Sequence, residues 1–154
     1  CTAGTDCAAG LDCVTTAPGV LQCRRYCCSG SCGSKMPETR FCDVAPLAKE
    51  NRLVPVCAPI KACKLLSTDD CPVGETCAVV TDMGTTSCVA VGKAIAGESC
   101  EEAHCAAGLN CLGQIGARKC YQICAIGGRD CTDPQICKGN SLFKDEGFGV
   151  CQAP

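Results

Sequence analysis

Apolar positions along this chain come in short runs that break before a helix can be built on them. No window keeps the three-to-four-residue spacing of a long amphipathic helix. The alanine-rich segment Val89–Ala96 comes nearest, but Gly92 and Gly97 interrupt it within one or two turns, so it reads as a connecting strand or linker. Val79-Val80-Thr81 and Thr86-Ser87-Cys88-Val89, separated by Met83-Gly84, read instead as the two arms of one β-hairpin. Pro18-Gly19, Gly116 and Glu146-Gly147 punctuate three comparable stretches in the same way.

These stretches belong to a repeat that the cysteines mark. Cys1, Cys7, Cys13 and Cys23 are spaced C-x5-C-x5-C-x9-C, and Cys63, Cys71, Cys77 and Cys88 are spaced C-x7-C-x5-C-x10-C. Cys100, Cys105, Cys111 and Cys120 give C-x4-C-x5-C-x8-C; Cys124, Cys131, Cys137 and Cys151 give C-x6-C-x5-C-x13-C. The middle gap is five in every copy. Within it Gly10, Gly74 and Gly108 stand three residues past the second cysteine, where a tight turn with positive φ suits glycine, and Pro134 marks the turn of the fourth copy. The residue before the second cysteine is Asp6, Asp70 or Asp130 in three copies, a turn aspartate placed to accept local backbone hydrogen bonds.

Composition explains what must hold such units together. Twenty-one cysteines in 154 residues, roughly 14 %, exceed the ~8–10 % that marks a disulfide scaffold. Aromatic content is 3 %, with no Trp, too little for a large core stabilised by burial. The fold class expected is small and disulfide-rich: tandem short β-hairpin and loop units with little helix and a minimal hydrophobic core. Four cysteines allow three pairings; first-to-third with second-to-fourth would make each unit compact, and a bond from Cys100 to Cys105 or to Cys131 would exclude it. The organisation expected is unit 1 over residues 1–26, an insert over 27–62, unit 2 with a linker over 63–99, unit 3 over 100–123 and unit 4 over 124–154.

The insert holds five cysteines, Cys27, Cys28, Cys32, Cys42 and Cys57, so one thiol in the chain is free, modified or joined to another chain. Its cysteine-free stretch Asp43–Val56 reads as an exposed loop and a candidate contact surface, with Lys35–Arg40 as a second projecting segment. Cys1 could be an acylated lipoprotein cysteine, but it aligns with Cys100 in the repeat, so a structural role is favoured over a lipid anchor.

The pattern from Cys1 through Asp6-Cys7-Ala-Ala-Gly-Leu-Asp-Cys13 to Cys23, together with Gly97-Glu98-Ser99-Cys100 through Cys105-Ala-Ala-Gly-Leu-Asn-Cys111 to Cys120, resembles the cysteine-rich repeats of secreted proteins and lipoproteins of myxobacteria and related bacteria. That resemblance covers most of the chain, is compositional and carries no assigned activity. Residues 1–32 are also similar to the amino-terminal cysteine-rich region of Dickkopf-type signalling antagonists, although Cys23 and Cys27 stand three residues apart without that family's basic linker. This implies an extracellular module rather than a particular receptor.

Cysteine density of this order belongs to an oxidising compartment, so the expected location is extracellular or at the cell surface. No run approaches the ~18 apolar residues of a membrane span, and the chain reads as mature or as a fragment. A net charge of −2 with no basic stripe argues against nucleic-acid binding. Residues 1–64 carry eight Lys/Arg against five Asp/Glu, and residues 65–154 carry six against eleven, a mild polarity. Asn51, Asn110 and Asn140 all lack the glycosylation sequon.

Thiolate metal sites, iron–sulfur clusters and thioredoxin-like redox sites rely on C-x-x-C, which is absent. No cofactor and no metal site is therefore expected. His104, the one histidine, occupies a repeated turn position and reads as a surface residue; Asp69-Asp70 and Glu101-Glu102 lack calcium-loop spacing. No phosphate loop, dinucleotide fingerprint or nucleophile elbow occurs, so no catalytic residue is assigned and no enzyme is expected. The function expected is a non-enzymatic extracellular structural or adhesive subunit, rigidified by about ten disulfides and assembling with itself or another surface protein. The alternative is a disulfide-rich binding module, a protease inhibitor or receptor ligand that gains affinity from preorganisation.

Overall fold

The computed structural model describes residues 1–17, 19–27, 32, 39–50, 52–143 and 147–154. Pro18, Cys28, Lys35, Asn51 and Glu146, all invoked above, lie outside the described residues. The described chain is nearly all β. Ten short strands are joined by turns, and the helical content is one 3-10 turn at Gly4–Asp6. Ten disulfides close it. Among the described residues no helix is long and apolar enough to cross a membrane.

Each hairpin places its two cysteines opposite one another. β1 (Leu11–Ala17) pairs with β2 (Val20–Arg25) so that Cys13 faces Cys23. β3 (Arg40–Pro46) and β4 (Leu53–Pro59) set Cys42 against Cys57. β5 (Glu75–Val79) and β6 (Thr86–Ala90) set Cys77 against Cys88. β7 (Leu109–Leu112) and β8 (Lys119–Ala125) do so for Cys111 and Cys120, and β9 (Ile136–Gly139) and β10 (Phe148–Gln152) for Cys137 and Cys151. These facing cysteines do not bond each other. Each reaches back to the loop before its hairpin, giving Cys1–Cys13 with Cys7–Cys23, Cys63–Cys77 with Cys71–Cys88, Cys100–Cys111 with Cys105–Cys120, and Cys124–Cys137 with Cys131–Cys151. The pairing is first-to-third and second-to-fourth throughout.

The insert is corrected by the same rule. Cys27–Cys42 and Cys32–Cys57 are bridged, and the pattern is again first-to-third and second-to-fourth, so residues 27–57 form a fifth copy of the motif rather than an odd spacer. Its second and third cysteines are nine residues apart instead of five, which hides it from a search for the fixed gap. Four of the five candidates for the free or interchain thiol are thereby removed. Asp43–Val56 is likewise not an exposed loop. Most of it is strand, held by pairs from Asp43↔Val56 to Pro46↔Leu53, with Val54 and Val56 buried. Alternation of apolar residues across that hairpin decides the matter: one face has a core to meet.

The turns follow the glycine pattern. Gly10, Gly74 and Gly108 have φ of 83°, 85° and 76°, and the residue after each donates its N–H to the carbonyl three positions back, at Ala8, Pro72 and Ala106. This is the type II turn that glycine permits at its third position. Pro134 stands at the equivalent place, with Gln135 N–H donating to Thr132 O and a cis bond after Asp133.

The chain divides into two bodies, Cys1–Ile60 and Lys61–Pro154. In the first, the β1–β2 and β3–β4 hairpins meet through isolated bridges Val14↔Leu47 and Tyr26↔Val56, with Ala48 N–H on Cys13 O at 2.9 Å. Val14, Val54 and Val56 form its buried apolar cluster, flanked by Ala45 and Leu47. In the second, β7, β8, β10 and β9 make one four-stranded antiparallel sheet in that order. Val79, Leu112, Ile123, Phe143 and Val150 pack together, with Leu65, Tyr121, Leu142 and Phe148 against them.

The segment read as a linker after β6 is bonded to the next copy of the motif. Gly92 N–H donates to Cys105 O at 2.8 Å, Ala106 N–H to Ala94 O at 2.8 Å, and Gly97 N–H to Cys120 O at 2.8 Å. A Cβ on Gly92 would lie 2.0 Å from the His104 carbonyl oxygen, so the close approach itself requires glycine.

Candidate functional site

The repeated chemistry of the motif is structural. Asp6 Oδ2 accepts from Thr2 N–H at 2.6 Å and Thr2 Oγ1 at 2.8 Å; Asp70 Oδ2 accepts from Lys64 N–H at 2.8 Å; Asp130 Oδ2 accepts from Ala125 N–H at 2.8 Å. In each case the donor directly follows the first cysteine. The carboxylate therefore staples the start of the loop to its end, just ahead of the second bridge. At Asp6 the backbone N–H of Thr2 is the main reason its carboxyl is held below the usual carboxylate range. His104 stands at this position in the third copy, half-buried and engaged by an interaction of its own.

In that same copy a different acid does the stapling. Glu101 accepts from Arg118 Nη2 at 3.0 Å and Nε at 3.2 Å, and from the backbone N–H groups of Arg118 and Gly116 at 2.8 Å each. The guanidinium fork lowers its carboxyl pKa. In the first body Tyr26 Oη donates to Asp12 Oδ2 at 2.6 Å, which lowers Asp12 and raises Tyr26.

Sulfur atoms gather in every copy. Those of the first, second and fourth cysteines lie within 4.8 Å of one another, for example Cys1, Cys7 and Cys23, or Cys100, Cys105 and Cys120. The two bridges of each motif thus lie against each other. Every one of these sulfurs is spent in an S–S bond, whereas the metal-binding form of cysteine is the thiolate.

The second body holds two concave features, a cavity of about 660 Å³ beside Gly127, Arg129, Asp133 and Ile136 and a smaller cleft beside Glu75. This cleft of about 330 Å³ is lined by the Leu65–Thr68 loop, by Glu75 and Thr76 on β5, by Ala107 and Gly108 on the approach to β7, and by Asn110 on β7 itself. Cys71, Cys77 and Ile123 complete its wall. Glu75 Oε1 takes the Lys61 ammonium at 2.7 Å, while Oε2 is closed to solvent and meets no donor among the described residues. Asn110 is 2 % exposed, and its Oδ1 accepts from Val79 N–H at 2.6 Å. Leu66 has φ of 59°, the one non-glycine residue at positive φ among those described, and its side chain is 46 % exposed. Sequence reading found none of this cleft, because Glu75 and Asn110 sit at repeat positions that hold Leu11 and Asp12 in the first copy.

Of the segments expected to project, Lys35–Arg40 lies outside the described residues except for Thr39 and Arg40, and Asp43–Val56 is the hairpin described above. Exposed aliphatic side chains stand elsewhere: Val20, Met83 and Ile115 beside hairpin turns, Val73 in the glycine turn, and Ile95, Ile126 and Ile136 on connecting or edge segments. Comparison with family models, characterised proteins and solved structures returns no match to this chain.

Proposed function

We propose that the chain is a non-enzymatic extracellular structural or adhesive subunit that assembles with copies of itself or with another surface protein. Ten bridges in 154 residues make a rigid domain of the kind oxidising compartments hold. The observation that carries the assembly reading is the placing of aliphatic side chains at turn tips. Val73 is fully exposed, and Met83 and Ile115 are more than half exposed, whereas a turn in a solitary protein is ordinarily polar. The resemblance to secreted bacterial repeats supports the same location.

Sedimentation velocity on the full chain across a wide concentration range tests this reading. Reversible association, weakened when Val73, Met83 and Ile115 are all replaced by serine, is expected; a monomer at every concentration overturns it. Covalent assembly has its own readout. Twenty of the cysteines are bridged, so any free or interchain thiol is Cys28, and intact mass without reduction, repeated on Cys28→Ser, separates a linked dimer from a labelled monomer.

The alternative, a binding module such as a protease inhibitor or receptor ligand, draws on the ten bridges, which would preorganise a presented loop. An inhibitor would protect a serine protease from substrate turnover at stoichiometric ratio, and titration of target proteases reads this out.

A further inference from the structure

We infer that the cleft beside Glu75 binds a protonated primary amine carried on a short aliphatic stem. The reasoning begins with the carboxylate. One oxygen already holds an ammonium, that of Lys61, at 2.7 Å. The other is buried with no donor, and a buried acceptor without a partner is the group most improved by an incoming donor. Charge selects which donor. The body that holds the cleft carries eleven Asp/Glu against eight Lys/Arg over residues 61–154, so a cation is drawn toward it and an anion is not.

The rest of the wall describes the stem. Leu65, Leu66, Ala107 and Ile123, with Cys71 and Cys77, make the apolar part of the lining, and Ser67, Thr68 and Thr76 bring hydroxyls for the remaining ammonium protons. A volume of about 330 Å³ lies at the small end of ligand pockets, enough for a chain of four or five carbons and too little for a folded peptide. Oε2 is reached only if a wall gives. Of the lining residues Leu66 is the non-glycine one at positive φ, 59°, a region that leucine disfavours, and its side chain is 46 % exposed.

The test is a ¹⁵N–¹H NMR titration of the full oxidised chain with n-butylammonium chloride, with n-butanol as the neutral shape control. Saturable shifts confined to Leu65–Thr68, Thr76 and Ala107–Asn110 at millimolar butylammonium are expected, with at least tenfold weaker response to butanol. Glu75→Gln should weaken the ammonium at least tenfold. Ala107→Leu, at an exposed lining position that spares the carboxylate, should do the same by filling the cleft, and guards against a Glu75 variant that misfolds. No saturable shift up to about 50 mM, an equal response to butanol, or binding unchanged in both variants overturns the inference. A third arm uses Nα-acetyl-lysine amide. Binding equal to butylammonium assigns the site to lysine side chains of a protein, and binding of free alkylamines alone assigns it to small amines; both outcomes uphold the ammonium. Loss of assembly by the turn-tip serine variant is read separately by sedimentation, so the two readings fail independently.

Discussion

The two bodies of this protein use one disulfide motif and surround it with different amounts of apolar packing. Cys1–Ile60 holds two hairpins on a cluster of three buried valines, while Lys61–Pro154 holds three on a core that includes Ile123, Phe143 and Val150 and shares one sheet between its last two copies. Identical bridges therefore carry different loads. Where the core is thin, the cross-links supply most of the ordering; where strands β8 and β10 pair and bury Ile123 and Val150, the bridges reinforce contacts that already favour the fold.

The sharpest way to break this contrast is to remove one equivalent bridge from each body. Cys32→Ser with Cys57→Ser should cost near the top of the range of about 2–5 kcal/mol and abolish protected amides in residues 1–60. Cys131→Ser with Cys151→Ser should leave most protection in residues 61–154, and hydrogen exchange that showed the reverse order would refute the division of labour. Ile123→Ala comes next. It should cost about 3 kcal/mol in thermal or denaturant unfolding of the second body and leave exchange in the first unchanged. Gly92→Ala should cost about 2 kcal/mol, because the added methyl meets the His104 backbone rather than a flexible side chain.

The smallest effect is in pH dependence, where both bodies share an acid limb and Tyr26 adds an alkaline one to the first. Asp12 is depressed by Tyr26 and Glu101 by Arg118, so each contributes stability above the ordinary carboxylate range that is lost as pH falls through its lowered value. Tyr26 is raised by Asp12, so its contribution is present below the ordinary tyrosine pKa and lost as pH rises through the raised value. The Cys1–Ile60 body should therefore lose a little stability at both extremes, and Tyr26→Phe should erase the alkaline loss. Unfolding midpoints followed against pH by tyrosine absorbance and amide exchange would reveal a flat alkaline limb if the Tyr26–Asp12 bond does nothing.

Much of the fold was legible because its punctuation is chemical. Three glycines at one offset from a cysteine specify a positive-φ turn, and each copy of the turn leads into a strand whose cysteine has a partner across the hairpin. The fifth copy was not legible, since its central gap is nine residues and Cys28 beside Cys27 disturbs the count. Packing between copies was also hidden. Val79, Leu112, Ile123 and Val150 come from four different strands, and no local period says that they meet. The cleft was invisible for the same reason: its wall joins the Leu65–Thr68 loop and β5 of one copy to Ala107–Asn110 of the next, and Asn110 finds its partner, Val79, across that boundary.

The placing of facing cysteines in bonds that avoid each other has a mechanical consequence. A pull applied along the backbone enters a copy at its first cysteine, travels the short loop to the second, and leaves across the bridge to the fourth, as from Cys1 along to Cys7 and over to Cys23. The hairpin between the third and fourth cysteines lies off that path. Tension would straighten the loops and connectors while every hairpin tip stayed slack, so what the tips present to the outside is insulated from force on the chain.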